Sequence, residues 1–419
     1  MHYSKIAWKV RGQIVGFSGK VSVGLCKPAR RFVTEAVYGI QASQSVLLSE
    51  ITRFLNEEIS YKKTEDRLSN QINREGLGGW LEKNLLSLAS RRIEEDTLLI
   101  VDTSDITKRY AKRMEYMTRV WDGSSGEVGT GYWTLQVVGA ELGGVHITPL
   151  IHRLYSQEAP GFDSENDEIL RVVRSVSGAV DKRGIYVIDR GGDRGKLLYP
   201  LLDRRLRFII RLVGKRRHLI YRGKAVYPED LGDRCPMLYR ERVVREEGGK
   251  EKIYQVEYGY RKVRLPGRDE VLTLVIIKGY GREPIFLLTN VEVARSRRSC
   301  FFVVHAYMRR WQVEETIRCM KQSYDLENVR LLTYRRLQNM MVLVLCAMYF
   351  AAVYLGDTMK LGVLAHHALK EARRLFGIPD FRYYAIADGI KRLLEGFRRP
   401  FLRKPQLILQ ESQTSLFDP

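Results

Sequence analysis

Thr97-Leu98-Leu99-Ile100-Val101-Asp102 and Gly184-Ile185-Tyr186-Val187-Ile188-Asp189 decide how this chain folds. Each is a short apolar run followed directly by a carboxylate. Runs of this length, bounded by polar residues and rich in Ile, Val and Leu, read as strands buried on both faces. A lone acid at the end of such a strand is costly unless it is paired or holds a cation. Between the two runs, residues 132–142 and 144–154 read as further strands, joined tightly through Gly143-Gly144. Residues 165–180 then read as a helix with Ile169, Leu170, Val173 and Val176 on one side. A helix over 194–203 and a strand over 207–213 follow.

Three strands, helix, strand, helix, strand is the order of a ribonuclease H-like core. In that fold the first and fourth strands are neighbours, which brings Asp102 and Asp189 close together. The fold class read from the chain is therefore α/β: a ribonuclease H-like mixed-sheet catalytic core with a β-rich insertion and helical N- and C-terminal regions. The expected organisation is a helical DNA-binding region over 1–92 and the first part of the core over 93–213. A β-rich insertion at 214–290 carries strand-like runs at 253–260, 271–278 and 284–289. The second part of the core, 291–356, bears a helix with a further acid, and 357–419 forms a helical region, a candidate for dimerisation. In the first of these regions, Leu47, Leu48, Ile51, Phe54 and Leu55 have helical spacing behind the candidate caps Ser43 and Ser45, and amphipathic segments follow at 64–72 and 80–88. The C-terminal region is expected to hold a helical pair near 362–376 and 384–396, with a polar, frayed end from about 411.

Tyr307, Arg310, Glu314 and Lys321 lie three, seven and fourteen residues apart counted from the first. On one continuous helix they fall at about 0°, −60°, −20° and −40° around the axis. One face then carries an aromatic hydroxyl, a guanidinium, a carboxylate and an ammonium, too many charges for a core stripe. It suits a metal-binding carboxylate among phosphate-gripping groups. Glu315 falls about 100° away and reads as a member of an ordinary salt bridge. Asp105 sits at odd spacing from Asp102 and is expected to point to the other side of its strand. Asp193 reads as the cap of the helix that follows.

Composition limits the partners. The 419 residues hold 70 Lys and Arg against 49 Asp and Glu, a formal net charge of +21, which points to a polyanion. The basic stretches 211–224 and Arg295, Arg297 and Arg298 are candidate DNA contacts. Five scattered cysteines without a Cys-x-x-Cys pair argue against a disulfide framework and a zinc site, and fit the reducing cytoplasm. Lys5, Lys9 and Arg11 interrupt any signal-like run. Residues 340–355 are uncharged but short for a membrane span, and read as a buried core helix, so no membrane partner is expected. Residues 191–196 lack the first glycine and the Ser/Thr of a phosphate-binding loop, which sets nucleotide-driven enzymes aside.

On these residues the chain resembles the bacterial DDE insertion-sequence transposases that carry the Y-R-E-K signature, whose spacing Tyr307, Arg310, Glu314 and Lys321 match throughout. Asp-Arg-Gly after the fourth strand and Asp-Thr-Ser-Asp with Lys108 after the first are also similar to that group. The resemblance implies that Asp102, Asp189 and Glu314 are catalytic and hold two Mg²⁺ ions, with Mn²⁺ as an alternative. It implies that Tyr307, Arg310 and Lys321 grip DNA phosphate near the cut, with Trp311 (or Trp133 or Trp121) free to stack on a flipped base. The expected activity is metal-dependent cleavage at insertion-sequence ends and strand transfer into target DNA, by a homodimer on paired double-stranded ends. The rival readings are a ribonuclease H-fold nuclease without strand transfer and a catalytically inactive DNA-binding derivative.

Overall fold

The sheet is organised around β1 (Leu98–Thr107) in the computed structural model, which describes residues 3–108, 110–123, 126–144, 146–247, 250–370, 382–396 and 400–401. Leu98 to Val101 are fully buried and pair in parallel with β5 (Ile185–Ile188). β1 does not end at Asp102 as its apolar run suggested. It continues to Thr107 because β3 (Glu127–Ala140) follows it in antiparallel register, Asp102 opposite Gln136 and Thr107 opposite Gly131. The parallel partner β5 stops one residue short of Asp102, so the acid sits where one flank of the strand opens. Gly131 permits the close approach at the far end, since a Cβ there would lie 2.1 Å from the Ile106 carbonyl oxygen.

β2 (Thr118–Asp122) and β4 (Ile147–Tyr155) pair with β3 at different positions, and β6 (Arg207–Leu212) runs parallel to β5. The order β4-β3-β1-β5-β6 is the arrangement expected of a ribonuclease H-like core, with β2 as an extra hairpin strand. The sheet is therefore mixed, and α6 (Glu165–Ala179) and α7 (Gly195–Asp203) form its crossovers. Ser164 caps α6 by accepting from the Asp167 amide at 3.2 Å.

After β6 the chain forms a small hairpin, β7 (Leu219–Tyr221) and β8 (Lys224–Val226), and α8 (Pro228–Asp233). Four strands, β9 (Tyr239–Glu247), β10 (Lys250–Val263), β11 (Leu272–Lys278) and β12 (Ile285–Thr289), then extend the same sheet, because β12 pairs antiparallel with β6. The β-rich segment is thus continuous with the core.

The helices α1 (Tyr3–Val21), α2 (Lys27–Ser43), α3 (Leu48–Leu55), α4 (Tyr61–Ile72) and α5 (Leu77–Ala89) gather around α11 (Tyr334–Tyr349), which runs on through a π turn over Phe350–Tyr354. That helix is long and apolar enough to cross a membrane, and its apolar stretch is 89% buried within the protein. Asn339 on α11 joins the layers: it donates to the Ile72 and Arg74 carbonyls at 2.7 and 3.0 Å and accepts from the Gly78 amide at 2.9 Å. Gln41 on α2 donates to the Ala347 carbonyl at 2.7 Å. Arg153 on β4 pairs with Glu82 on α5 through its Nε at 2.8 Å. The first helices therefore share one hydrophobic core with the sheet.

Ser43 and Ser45 do not cap α3. The Ser43 hydroxyl bonds back to the Gly39 carbonyl at the end of α2, and Ser45 accepts from the Leu47 amide, the residue before α3. Of the C-terminal helical pair, α12 (Asp357–Lys370) and α13 (Tyr383–Glu395) are present. Residues 371–381 and the tail from 402, including the expected polar end, lie outside the described residues.

Candidate active site

Tyr307 and Lys321 do not lie on one helix. α9 (Arg297–Met308) ends and α10 (Trp311–Ser323) begins within three residues. Amides of Arg310, Gln312 and Val313 bond three residues back, at 3.1, 3.0 and 3.1 Å, which tightens the joint. At this joint the Arg309 guanidinium reaches out to the Leu142 carbonyl at 2.9 Å and the Gly144 carbonyl at 2.5 Å, on the β3–β4 turn. The single helical face expected over 307–321 is therefore replaced by two helices meeting at Arg310.

Arg310 holds two of the three expected acids. Its Nη1 lies 3.3 Å from Asp102 Oδ2, and its Nη2 donates to Glu314 Oε1 one helical turn on. Tyr307, buried at the end of α9, accepts from Arg211 Nη1 at 3.5 Å. Asp189 follows β5 and turns its carboxylate onto the Gly191 amide at 2.6 Å, capping a short 3₁₀ turn over Arg190–Gly192. Its charge still reaches Asp102. Burial pushes the Asp102 carboxyl up to about 7, and the nearby Asp189 and Glu314 charges add to that against the pull of Arg310. Arg310, in turn, is held charged more firmly than a free guanidinium, burial being outweighed by Glu314 and Asp102.

Lys321 stands apart from this trio. Its ammonium lies 2.9 Å from Glu327 Oε1 and 3.6 Å from Asp105 Oδ1. Asp105 was expected to turn away from the site. It is buried and meets Lys321 on α10, and it makes no hydrogen bond or ion pair with Arg310 or Glu314 among the described residues. Asp193 is not the helix cap either. Its carboxylate accepts from the Val213 amide at 2.8 Å and pairs with Arg217, anchoring the segment after β6, and α7 starts behind Arg194. Glu315 pairs with Arg318 on its own helix and accepts from the Tyr384 hydroxyl at 3.4 Å.

Trp311, Tyr307, Arg310, Arg211 and Arg282 line a cleft of about 470 Å³ that Glu314 enters, whereas Asp102 and Asp189 are not among its lining residues. Trp311 is partly buried there, whereas Trp121 is 55% exposed on β2 and the Trp133 indole N–H is buried without an acceptor. Sequence reasoning missed Arg309, the Asp105–Lys321–Glu327 chain and Arg211 as a partner of Tyr307. Only Arg211 carried a signal, as the first residue of a basic stretch.

Three carboxylates, one of them half-buried near the charges of the other two, are the donor chemistry a divalent cation takes. Among the described residues no three acids, histidines or cysteines converge closely enough to form a cage. The Arg310 guanidinium supplies the positive charge between Asp102 and Glu314.

Residues 142–350, about half of the chain, match the family model described as "Transposase DDE domain". The match supports a DDE transposase; Asp189 and Glu314 lie inside the matched region and Asp102 before it. None of the curated proteins compared matches the chain. Among solved structures, the chain is similar to a piggyBac transposase synaptic complex with hairpin DNA, determined by cryo-EM. The likeness has 12% identity and a TM-score of 0.40 and covers all of this chain and 85% of the other. It is too distant to assign residues.

Proposed function

We propose that this DDE transposase cuts a DNA strand at the ends of an insertion sequence and joins the freed 3′-hydroxyl to target DNA. The observation that carries the reading is the Asp102 carboxyl, half-buried at the open flank of β1 near the charges of Asp189 and Glu314 and bridged to Glu314 by Arg310. In this reading Asp102, Asp189 and Glu314 would hold two Mg²⁺ ions, or Mn²⁺, which would activate a water or 3′-hydroxyl and stabilise the leaving oxygen.

The chain's own groups do the rest. A phosphate entering the cleft meets Arg310, whose two terminal nitrogens suit a bidentate grip, and Arg211 beside the Tyr307 hydroxyl. Trp311 forms one wall, where an unstacked base can lie against its ring. Lys321 supports the strand further along β1, next to Asp105. The partners are the double-stranded element ends and the target duplex, and bringing two ends together calls for a homodimer.

Glu314→Gln tests this directly. The substitution keeps size and hydrogen bonding but removes the charge, so strand cleavage should disappear while duplex binding at low salt stays within about twofold. Loss of binding together with cleavage would make Glu314 a structural residue.

A further inference from the structure

Beyond β1 lies a cleft of about 770 Å³ that the carboxylate site does not use. It is formed by the segment after Thr107 and by residues 327–332, which follow α10. Tyr110 stands at its mouth, 93% exposed, and Leu332 is 54% exposed opposite a floor that includes Met114. Large apolar side chains left this open mark a binding surface. Lys112, Arg113 and Arg330 stand around them, and Lys112 and Arg113 form no ion pair among the described residues.

Two carboxylates also line the cleft, and both are already engaged. Glu327 is met by Lys321 at 2.9 Å, while Asp122 is buried and has a partner. Arg330 also donates from Nε to Asn328 Oδ1 at 3.3 Å, which leaves its two terminal nitrogens to face a ligand. An aromatic ring and apolar floor beside Lys112, Arg113 and Arg330 is the pattern that holds unpaired nucleic acid: bases stack, and phosphates pair with the cations.

A chain of ion pairs links the cleft to β1. Glu327 lines it and pairs with Lys321, and Lys321 reaches Asp105, three residues along β1 from Asp102. Lys108 fixes the wall by donating to the Glu327 carbonyl and, at 2.6 Å, to the Val329 carbonyl. From Asp102 to Thr107, where the cleft begins, β1 rises about 17 Å, roughly five base steps of 3.4 Å.

We propose that this cleft is a second DNA subsite, which takes an unstacked base of the strand leaving the carboxylates, about five nucleotides from the cut. Tyr110 stacks on that base, and Lys112, Arg113 and Arg330 hold its phosphates. The inference rests on the transposase reading and adds to it a surface that melts or captures the strand end away from Trp311.

The test uses two fluorescein-labelled duplexes of one sequence, taken from the flank of the encoding gene. One is fully paired and the other carries five mismatched pairs at its end. Anisotropy titrations compare the full-length protein with Tyr110→Ala and Tyr110→Phe. The wild type should bind the mismatched probe more tightly. Tyr110→Ala should lose roughly 5- to 150-fold on that probe, the range stacking of one base implies, and little on the paired one. Tyr110→Phe should keep the preference. Because Tyr110 is almost wholly exposed, an unchanged melting temperature verifies folding. Equal binding of both probes by wild type and Tyr110→Ala, with cleavage at the carboxylates intact, overturns this subsite and leaves the transposase reading standing. Wild-type protein that binds neither probe overturns both.

Discussion

Replacing Arg310 by Gln separates the charge balance of the carboxylates from the rest of the fold. At 3.3 Å from Asp102, with an effective dielectric near 20, the gross attraction is about 5 kcal/mol, much of it offset by desolvation. Removing one member of a buried pair costs roughly 3–5 kcal/mol; with about a fifth of the Arg310 side chain open to solvent, the loss should sit near 3 kcal/mol. The loss should also depend on pH. Asp102 in the folded protein has its carboxyl raised to about 7 from an ordinary value of 3.8. The native state therefore binds more protons than the unfolded one in that window. Stability falls as pH rises from about 4 and levels off above about 7.

Without Arg310 the same carboxyl should rise by a further unit or more. The decline then continues past pH 8, and the mutant loses about 1 kcal/mol more at pH 8 than at pH 5. Urea unfolding of both proteins at the two pH values, in EDTA, measures this. An equal loss at both pH values, or a larger one at pH 5, would show that Arg310 does not neutralise Asp102.

Lys321→Ala should weaken duplex binding and reduce the slope of log affinity against log salt by about one unit, as for one lost phosphate contact; an unchanged slope measured over 50–200 mM salt removes Lys321 from the interface. His152 on β4 is wholly buried, its ring nitrogens have no partner among the described residues, and burial lowers its pKa to about 3 from 6.5. Its contribution is fully present above pH 6.5 and is lost as pH falls toward 3, about 2 kcal/mol by pH 5. His152→Leu should flatten that part of the stability curve, and an unchanged acid limb in urea unfolding would show that His152 does not titrate there.

The strand order was legible because burial on both faces leaves unbroken apolar runs, and two of those runs end at acids. The chemistry of the Arg310–Glu314 pair was legible from spacing alone, since residues four apart on a helix meet whatever surrounds them. What surrounds them was not. The helix breaks at Arg309, whose guanidinium bonds two carbonyls on the β3–β4 turn, contacts more than 160 positions away in the chain. Asp105 meets Lys321 through a contact between distant parts of the chain, which local spacing does not register. β2 was missed because Trp121 and Val128 are exposed apolar residues paired across a hairpin, which leaves little inside-outside contrast. α1 was obscured by charges at Lys5, Lys9 and Arg11, although Val10, Ile14, Phe17 and Val21 bury one face of it. The β-rich segment gave up its strands but not their destination, because pairing of β12 with β6 is a long-range contact with no local signature.

The most direct measurement is a plasmid assay in Mg²⁺ on DNA carrying the flanking ends of the encoding gene, comparing the wild type with Asp189→Asn. Asp189 lies within the matched domain and makes no ion pair among the described residues, so its charge can be removed without breaking one. The account predicts metal-dependent excision and joined products from the wild type and neither from the mutant, with both proteins binding the ends alike. Excision and joining that persist in Asp189→Asn would contradict it.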